Sequence, residues 1–175
     1  NKADISSNEE VSVSGEYVSK TIAVDKTAPV VDVQFEVDDK PAEAVNKIDS
    51  IDYFNKIVTA TITVTAHNFR ASDFNAVVTA KDVTNTDVQI MDYVSYCKNP
   101  DNWTQDGNVY SIELVFDADA NYTFDYSFES LAQNKAADYK TYLFTVDKTA
   151  PENLKIDYST SVLDKIIETL SFGFY

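Results

Sequence analysis

Alternation of apolar and polar residues at every second position is the dominant pattern in this chain. Between residues 58 and 65, valine, alanine and isoleucine alternate strictly with threonine. Residues 110–116, 122–128 and 142–146 repeat the alternation with mainly aromatic and aliphatic residues at the apolar positions. A period of two places the apolar side chains on one face of a strand. The pattern therefore predicts antiparallel sheets with one buried and one solvated face.

Short polar segments rich in asparagine and aspartate separate the apolar runs and read as turns. The runs between them give about seven strands, a number typical of two antiparallel sheets packed face to face. The sequence thus predicts an all-β sandwich. The predicted strands cover residues 30–37, 57–66, 74–82, 86–96, 108–117, 121–130 and 139–147.

One interruption of the strand pattern predicts a short helix between the first two strands. Pro41 stands at a favourable first helical position, and Val45 and Ile48 would share one face of the helix that follows. A corresponding segment occurs at residues 161–170, where Ser161 begins a capping box and the apolar residues share a face. We expect these helices to be the same element in two copies of a repeated unit.

A repeated motif divides the chain. The hexamer VDKTAP occupies residues 24–29 and returns at residues 146–151, and an alternating apolar run follows each copy. A period of this length indicates tandem domains rather than the short repeats of a solenoid. We expect residues 27–150 to form one complete domain, residues 1–26 to end a preceding domain, and residues 151–175 to begin a following one.

Composition narrows the chemistry of the chain. The net charge of −15 argues against binding to nucleic acid and against docking on an anionic membrane. One histidine, one cysteine and three glycines exclude a cysteine-rich zinc site, a phosphate-binding loop and a dinucleotide-binding turn. Asp117 and Asp119 stand in a solvated turn, without the burial that acid–base catalysis by paired carboxylates requires. We therefore expect no enzymatic activity and no catalytic residues.

Three segments carry a resemblance to a known family. They are FTVDKTAP at residues 144–151, ATITVTAHNF at residues 60–69, and the stretch from Trp103 to DADANYT at residues 117–123. They resemble the Ig-like repeat domains of large surface-anchored proteins of Gram-positive bacteria, the Firmicutes. The resemblance implies an immunoglobulin-like antiparallel β-sandwich in tandem repeat, on the extracellular side of a bacterial cell wall.

The chain departs from this family at the turn before its last strand. The family carries Asp-x-Ala-Gly-Asn there, whereas residues 129–134 read ESLAQN and lack both the aspartate and the glycine. Any tight-turn or calcium role of those two residues is therefore not implied for this chain.

Aromatic residues in polar surroundings are the candidate ligand-binding set. Trp103 stands in the loop NPDNWTQ, where an exposed indole would suit stacking on a sugar ring or anchoring a protein partner. Tyr93 and Tyr96 would complete a stacking platform, and Phe69 joins the set from the turn after the second predicted strand. The family pattern implies a different role for Trp103, which is to cap the core of the sandwich.

Three single residues have simpler expected roles. His67, the only histidine, is expected in a turn with its side chain bonded to local backbone. Cys97 is expected to be a partly buried apolar residue. Tyr122 begins a strand directly after a turn, which predicts a tyrosine corner, in which the hydroxyl bonds to upstream backbone.

Residues 117–121 (DADAN) look like the start of a calcium-binding loop, but the glycine at its sixth position and the glutamate at its twelfth are missing. An EF-hand is therefore excluded. Two interpretations stay open. One is a looser structural calcium site at a strand corner or linker, with Asp25, Asp117 or Asp147 as ligands, and the other is a solvated acidic turn. No other cofactor or metal is expected.

These features predict a non-enzymatic repeat that serves as a stalk and in adhesion on a bacterial cell surface. The proline of the hexamer keeps the preceding residue extended, which favours a stiff rod. The resemblance implies neighbouring Ig-like repeats as partners and immunoglobulin, mucin glycans or other host proteins as ligands, with no nucleic acid and no direct membrane insertion. The alternative is a carbohydrate-binding or linker module of a secreted glycosidase, with Trp103 exposed.

Overall fold

The computed structural model describes residues 24–150, so the predicted helix at residues 161–170 lies outside the described residues. This part of the chain contains ten strands and one short helix, together with single 3₁₀ turns at Ala71–Asp73 and Pro100–Asn102. In chain order the elements are β1 (Val30–Val37), β2 (Lys40–Pro41), β3 (Asn46–Ile48), β4 (Ile51–Phe54), β5 (Val58–Thr65), β6 (Phe74–Lys81), α1 (Tyr93–Lys98), β7 (Thr104–Asp106), β8 (Val109–Phe116), β9 (Ala120–Phe128) and β10 (Tyr142–Val146).

The strands form two five-stranded sheets that pack face to face. The first has the order β2-β1-β5-β8-β7, with all pairs antiparallel. The second has the order β3-β4-β10-β9-β6, in which β10 runs parallel to β4 and the other pairs are antiparallel. The predicted all-β, two-sheet sandwich is confirmed, with one parallel pair added to the antiparallel pairing.

The alternating pattern determines which side chains enter the core. In β5 the apolar positions are buried and the intervening threonines are partly or fully exposed, and β9 follows the same rule with aromatic residues. Phe116 lies at the centre of the core, where its ring meets Phe124 and Phe144 edge to face. Large aromatic rings in such contacts supply most of the apolar area that a small sandwich buries.

The predicted helix between the first two strands is wrong. Residues 41–48 instead run from β2 to β3 as part of two tight hairpins. Asp38 and Asp39 form the two-residue turn between β1 and β2, and Asp49 and Ser50 form the turn between β3 and β4, all with positive φ. Turns of this kind match the right-handed twist of paired strands, so the segment extends the sheets instead of coiling.

The strand predicted at residues 86–96 is also wrong. Asp87 forms only an isolated bridge with Lys81, and the chain then turns into α1. The Asp92 side chain caps this helix by accepting a hydrogen bond from the Ser95 amide, at 3.0 Å. The helix buries Tyr93 and Cys97, which lie four residues apart and therefore on one face.

The chain enters the sandwich at one end and leaves it at the other. Val30, the first residue of β1, pairs with Thr65, which in turn pairs with Val109 at the start of β8. Val146, the last residue of β10, pairs with Ala120 at the start of β9, just beyond the far end of β8. We call these the N-terminal end and the C-terminal end of the sandwich.

Candidate functional site

Two of the predicted aromatic residues meet at the N-terminal end of the sandwich. Phe69 comes from the loop after β5 and Trp103 from the residue before β7, and their ring centroids lie 4.6 Å apart. Tyr110 of β8 stacks on the Phe69 ring, with the ring centroids 4.4 Å apart. All three rings are partly buried and pack against the core, so they form an aromatic floor that is anchored from below.

The orientation of Trp103 is fixed by the end of α1. Its indole Nε1 donates a hydrogen bond of 2.7 Å to the carbonyl of Cys97, and the Asn102 side chain donates one of 2.9 Å to the carbonyl of Tyr96. Both carbonyls belong to the last helical turn, where no further turn of helix supplies partners, although the Tyr96 carbonyl also accepts from the Asn99 amide at 3.3 Å. The end of α1 therefore holds Trp103 in place, and its ring is partly buried against the core.

A cleft of about 440 Å³ opens over this aromatic floor. Arg70, Lys98 and Gln105 stand at its rim, next to the aromatic residues Phe69 and Trp103. A concave apolar surface with a few polar groups is the ordinary form of a small-ligand site. The cleft can take a planar or ring-shaped ligand on its floor and hydrogen-bond acceptors at its rim.

The rim charges are not equivalent. The Arg70 guanidinium donates to both carboxylate oxygens of Asp73, at 2.8 and 3.0 Å, so its charge is largely engaged. Lys98 is exposed, and none of the ion pairs found within residues 24–150 includes it. The Gln105 amide is held by the Tyr110 hydroxyl and the Gly107 carbonyl, both at 3.0 Å. Lys98 thus supplies the cleft with its accessible positive charge.

The structure does not bring Tyr93 to this surface. Tyr93 is only 3% exposed, its ring stacks on Phe116, and its hydroxyl donates to the Val115 carbonyl at 2.5 Å. Burial, with the nearby Tyr122 and Asp117, raises the pKa of Tyr93 far above its ordinary value. Tyr96 is half-buried against the core and does not line the cleft. A platform of Trp103, Tyr93 and Tyr96 is therefore not formed.

The other single residues are placed largely as expected. The Tyr122 hydroxyl both donates to the carbonyl and accepts from the amide of Ala118, each at 3.1 Å, so the tyrosine corner is confirmed. Cys97 is fully buried, and burial raises the pKa of its thiol to about 12. His67 lies in an exposed turn, but its ring nitrogen lies 3.4 Å from the Asn108 side chain and not next to local backbone.

Of the acidic residues proposed as calcium ligands, Asp25 accepts hydrogen bonds through its carboxylate, and Asp117 accepts one through its backbone carbonyl. The carboxylate of the neighbouring Asp119 is also engaged. Asp119 accepts hydrogen bonds from the Lys148 amide and the Thr149 hydroxyl, and the carbonyl of Asp117 accepts one from the Lys148 ammonium. Asp25 accepts one from Asn68. Within residues 24–150 no group of three or more histidine, cysteine or acidic side chains is placed to hold a metal ion.

Among the cleft residues that reasoning from the sequence missed are Tyr110, Lys98 and Gln105. Tyr110 was assigned to the apolar face of its strand, which is correct, but that face continues into the cleft floor at the N-terminal end of the sandwich. Lys98 comes to the rim only because residues 93–98 are helical, so a strand prediction could not place it there.

No family model matches the chain, and no curated protein and no solved structure was found to be similar to it. Among the residues that the structure describes, no helix is long and apolar enough to cross a membrane.

Proposed function

We propose that residues 27–150 are one Ig-like repeat of a bacterial cell-surface protein, which spaces a rod-like stalk and takes part in adhesion to host proteins. One observation carries this proposal: the same hexamer stands at both ends of a sandwich that the chain enters at one end and leaves at the other. A unit with that geometry can be joined end to end without the chain folding back on itself.

The strand order supports the Ig-like assignment. In constant-type Ig domains strands A, B, E and D form one sheet and C, F and G the other. The sheet β1-β5-β8-β7 has the order A-B-E-D, and β6, β9 and β10 stand where C, F and G would stand. The tyrosine corner at Tyr122 falls near the start of the strand that corresponds to F, which is its position in Ig-like sandwiches.

The cell-surface proposal has a direct test. Antibodies raised against residues 24–150 should bind intact cells that produce the protein, and external protease should remove the epitope. An antibody against a cytosolic enzyme serves as the control, because it must bind only after the cells are permeabilised. An epitope that is reached only in permeabilised cells would contradict the proposal.

A second function, carbohydrate binding, is favoured by the cleft. Phe69, Trp103 and Tyr110 provide an aromatic floor, and Lys98 and Gln105 provide polar groups beside it. Apolar faces of sugar rings stack on aromatic side chains, while their hydroxyl or acidic groups take hydrogen bonds from the rim. Mucin glycans and the accessory module of a glycosidase would both use a site of this kind.

The two functions can be separated with one set of variants. The full chain is tested for binding to immunoglobulin, to mucin and to enzymatically deglycosylated mucin, and on an array of free glycans. If the cleft binds sugar, Lys98→Ala weakens binding to mucin and to glycans, and deglycosylation abolishes it. Lys140→Ala is the matched control, since Lys140 is equally a surface lysine and does not line the cleft. Loss of binding in both variants, or no glycan signal, rules out the cleft.

A further inference from the structure

The repeated hexamer appears twice in the described structure, and each copy contacts a different end of the sandwich. The first hexamer (residues 24–29) precedes the sandwich and contacts its N-terminal end. The second hexamer (residues 146–151) follows the sandwich and contacts its C-terminal end, as seen in its described residues 146–150. In a tandem array one hexamer lies between two units, so the two copies show the two halves of one junction.

At the N-terminal end the sandwich holds the aspartate of the hexamer. Asn68, in the loop after β5, donates its side-chain amide to Asp25 Oδ2 at 3.3 Å. Asn134, in the loop after β9, donates its side-chain amide to the Asp25 carbonyl at 3.0 Å. The other carboxylate oxygen of Asp25 accepts from the Thr27 amide at 3.0 Å, which fixes the turn of the hexamer itself. Two loops of the sandwich thus grip one residue.

At the C-terminal end the sandwich holds the next two residues of the hexamer. The Lys148 amide and the Thr149 hydroxyl donate to the two oxygens of Asp119, the former at 3.1 Å. The Lys148 ammonium donates to the Asp117 carbonyl. The Asp147 amide donates to the carbonyl of Phe54 at 2.9 Å, which continues the pairing of β10.

The two sets of contacts use different atoms of the hexamer. The N-terminal end takes the carboxylate and the carbonyl oxygen of its aspartate. The C-terminal end takes the aspartate amide, the lysine amide and ammonium, and the threonine hydroxyl. We propose that each hexamer between two units makes both sets at once and clamps the C-terminal end of one unit to the N-terminal end of the next, a second copy of this fold.

The order of the contacts explains why such a junction would be stiff. Along the sequence Asp-Lys-Thr, the following unit holds the aspartate oxygens, and the preceding unit holds the groups on either side of them, which are the aspartate amide, the lysine and the threonine. Each of the three residues is therefore held by at least one unit. The proline that follows fixes its own φ and restricts the alanine before it. A junction of this kind holds neighbouring units in one orientation, whereas a glycine- and serine-rich linker would let them move independently.

The proposal rests on the tandem arrangement in the proposed function, and a two-unit protein tests it. Residues 1–150 are joined directly to residues 29–175, so that one hexamer lies between two complete sandwiches in the register of the natural repeat. Glu113, an exposed residue of β8, is replaced by Cys in both units and spin-labelled. Cys97 is buried and stays unlabelled. Pulsed electron paramagnetic resonance then measures the distribution of distances between the two units.

We expect a single narrow distance peak. Asp119→Ala in the first unit or Asn134→Ala in the second should each replace that peak with a broad distance distribution. Its width should match that of a two-unit protein with a Gly-Ser linker. Thr149→Val, which keeps the size of the side chain but removes one donor, should broaden it less. The matched controls are Asp101→Ala and Asn75→Ala, which remove an exposed carboxylate and a partly exposed amide that do not contact the hexamer.

A broad distribution in the unmodified protein overturns the clamp, as does an unchanged narrow peak in variants whose circular dichroism is that of folded units. This outcome is separate from the cell-surface test. A flexible two-unit protein found on intact cells would refute only the clamp, while a rigid one confined to the cytosol would refute only the proposed function.

Discussion

The two hexamers have the same six residues and different contacts. Val146 is fully buried as the last residue of β10, whereas Val24 is 74% exposed. The aspartate of the first copy is held through its oxygens, and the aspartate of the second copy through its amide. The same six residues thus present different groups to the two ends of the sandwich.

The two ends of the sandwich are also built from different chemistry. The N-terminal end holds its hexamer with the side-chain amides of Asn68 and Asn134, which lie in two loops. The C-terminal end uses the carboxylate Asp119 in a turn that the Tyr122 corner braces from below. Donors at one end and acceptors at the other suit a linker that carries both kinds of group. The comparison predicts effects that differ between chemically matched substitutions at the two ends.

The largest difference is expected between the two valines of the hexamers. Val146→Ala removes two methyl groups from the core and should lower the free energy of unfolding by about 2 kcal/mol. Val24→Ala, the same change at an exposed position, should alter it by less than about 0.5 kcal/mol. Urea unfolding of the full chain measures both through the midpoint at constant slope. Equal effects of the two substitutions would contradict the difference in environment.

Next in size is the loss of the tyrosine corner at the C-terminal end. Tyr122→Phe keeps the ring in the core but leaves the amide and the carbonyl of Ala118 without their partner. We expect a loss of about 1.5 kcal/mol in the free energy of unfolding, by urea titration. Tyr126→Phe is the matched control, because the only hydrogen bond of its hydroxyl found within residues 24–150, to the Val31 carbonyl, is 3.5 Å long. A control as damaging as Tyr122→Phe would mean that ring substitution, and not the corner, is responsible.

Much of the fold could be predicted because the strands that pair on the two sheets carry the clearest alternation. Residues 86–96 show the limit of that signal. Val88 and Ile90 are partly buried and Gln89 is exposed, so the alternation there is real, but the chain finds no neighbouring strand beyond one bridge. Alternation indicates which face of a segment is buried. Forming a strand also requires a neighbouring strand to pair with, and only the tertiary structure determines whether one is present.

The hairpins before β5 were missed because their turns contain no glycine. Two-residue hairpin turns are recognised from Asn-Gly or Asp-Gly, and here Asp38–Asp39 and Asp49–Ser50 adopt the positive φ values themselves. Pro41 then suggested a helix start. The candidate site was predicted in part, since Phe69 and Trp103 do meet. Tyr93 instead points into the core, because it lies four residues before the buried Cys97 and therefore on the same face of α1.

At two turn positions of the N-terminal end, removing a glycine should lower the free energy of unfolding and introducing one should raise it. Gly107 and Gln133 both have φ near +60°, a conformation that costs a residue with a side chain about 1 kcal/mol. Gly107→Ala should therefore lower the free energy of unfolding by about 1 kcal/mol, although nothing lies within 4 Å of the added carbon. Gln133→Gly should raise it by about 0.5 kcal/mol, because relief of the strain is partly offset by chain entropy. Thermal unfolding of the full chain measures both, and a destabilising Gln133→Gly would refute this account.

The smallest expected effect is the loss, in acid, of the contacts that Asp119 makes with the second hexamer at the C-terminal end. The Thr149 hydroxyl and then the Lys148 amide hold the pKa of Asp119 below its ordinary value, against a smaller opposing effect of burial. A carboxyl with a lowered folded-state pKa stabilises its contacts above the ordinary value, near pH 4, and loses that contribution as pH falls through the folded-state pKa. The second hexamer should therefore detach only in strong acid.

Nuclear magnetic resonance can follow this detachment through the Lys148 amide, which bonds directly to Asp119. Its chemical shift should titrate with a midpoint below that of an ordinary aspartate. Thr149→Val removes the largest cause of the shift and should move the midpoint upward, towards the ordinary value. Asp119→Asn should abolish the transition altogether. A transition that persists in Asp119→Asn would mean that another carboxyl governs this junction, and the contrast between the two ends would then not rest on Asp119.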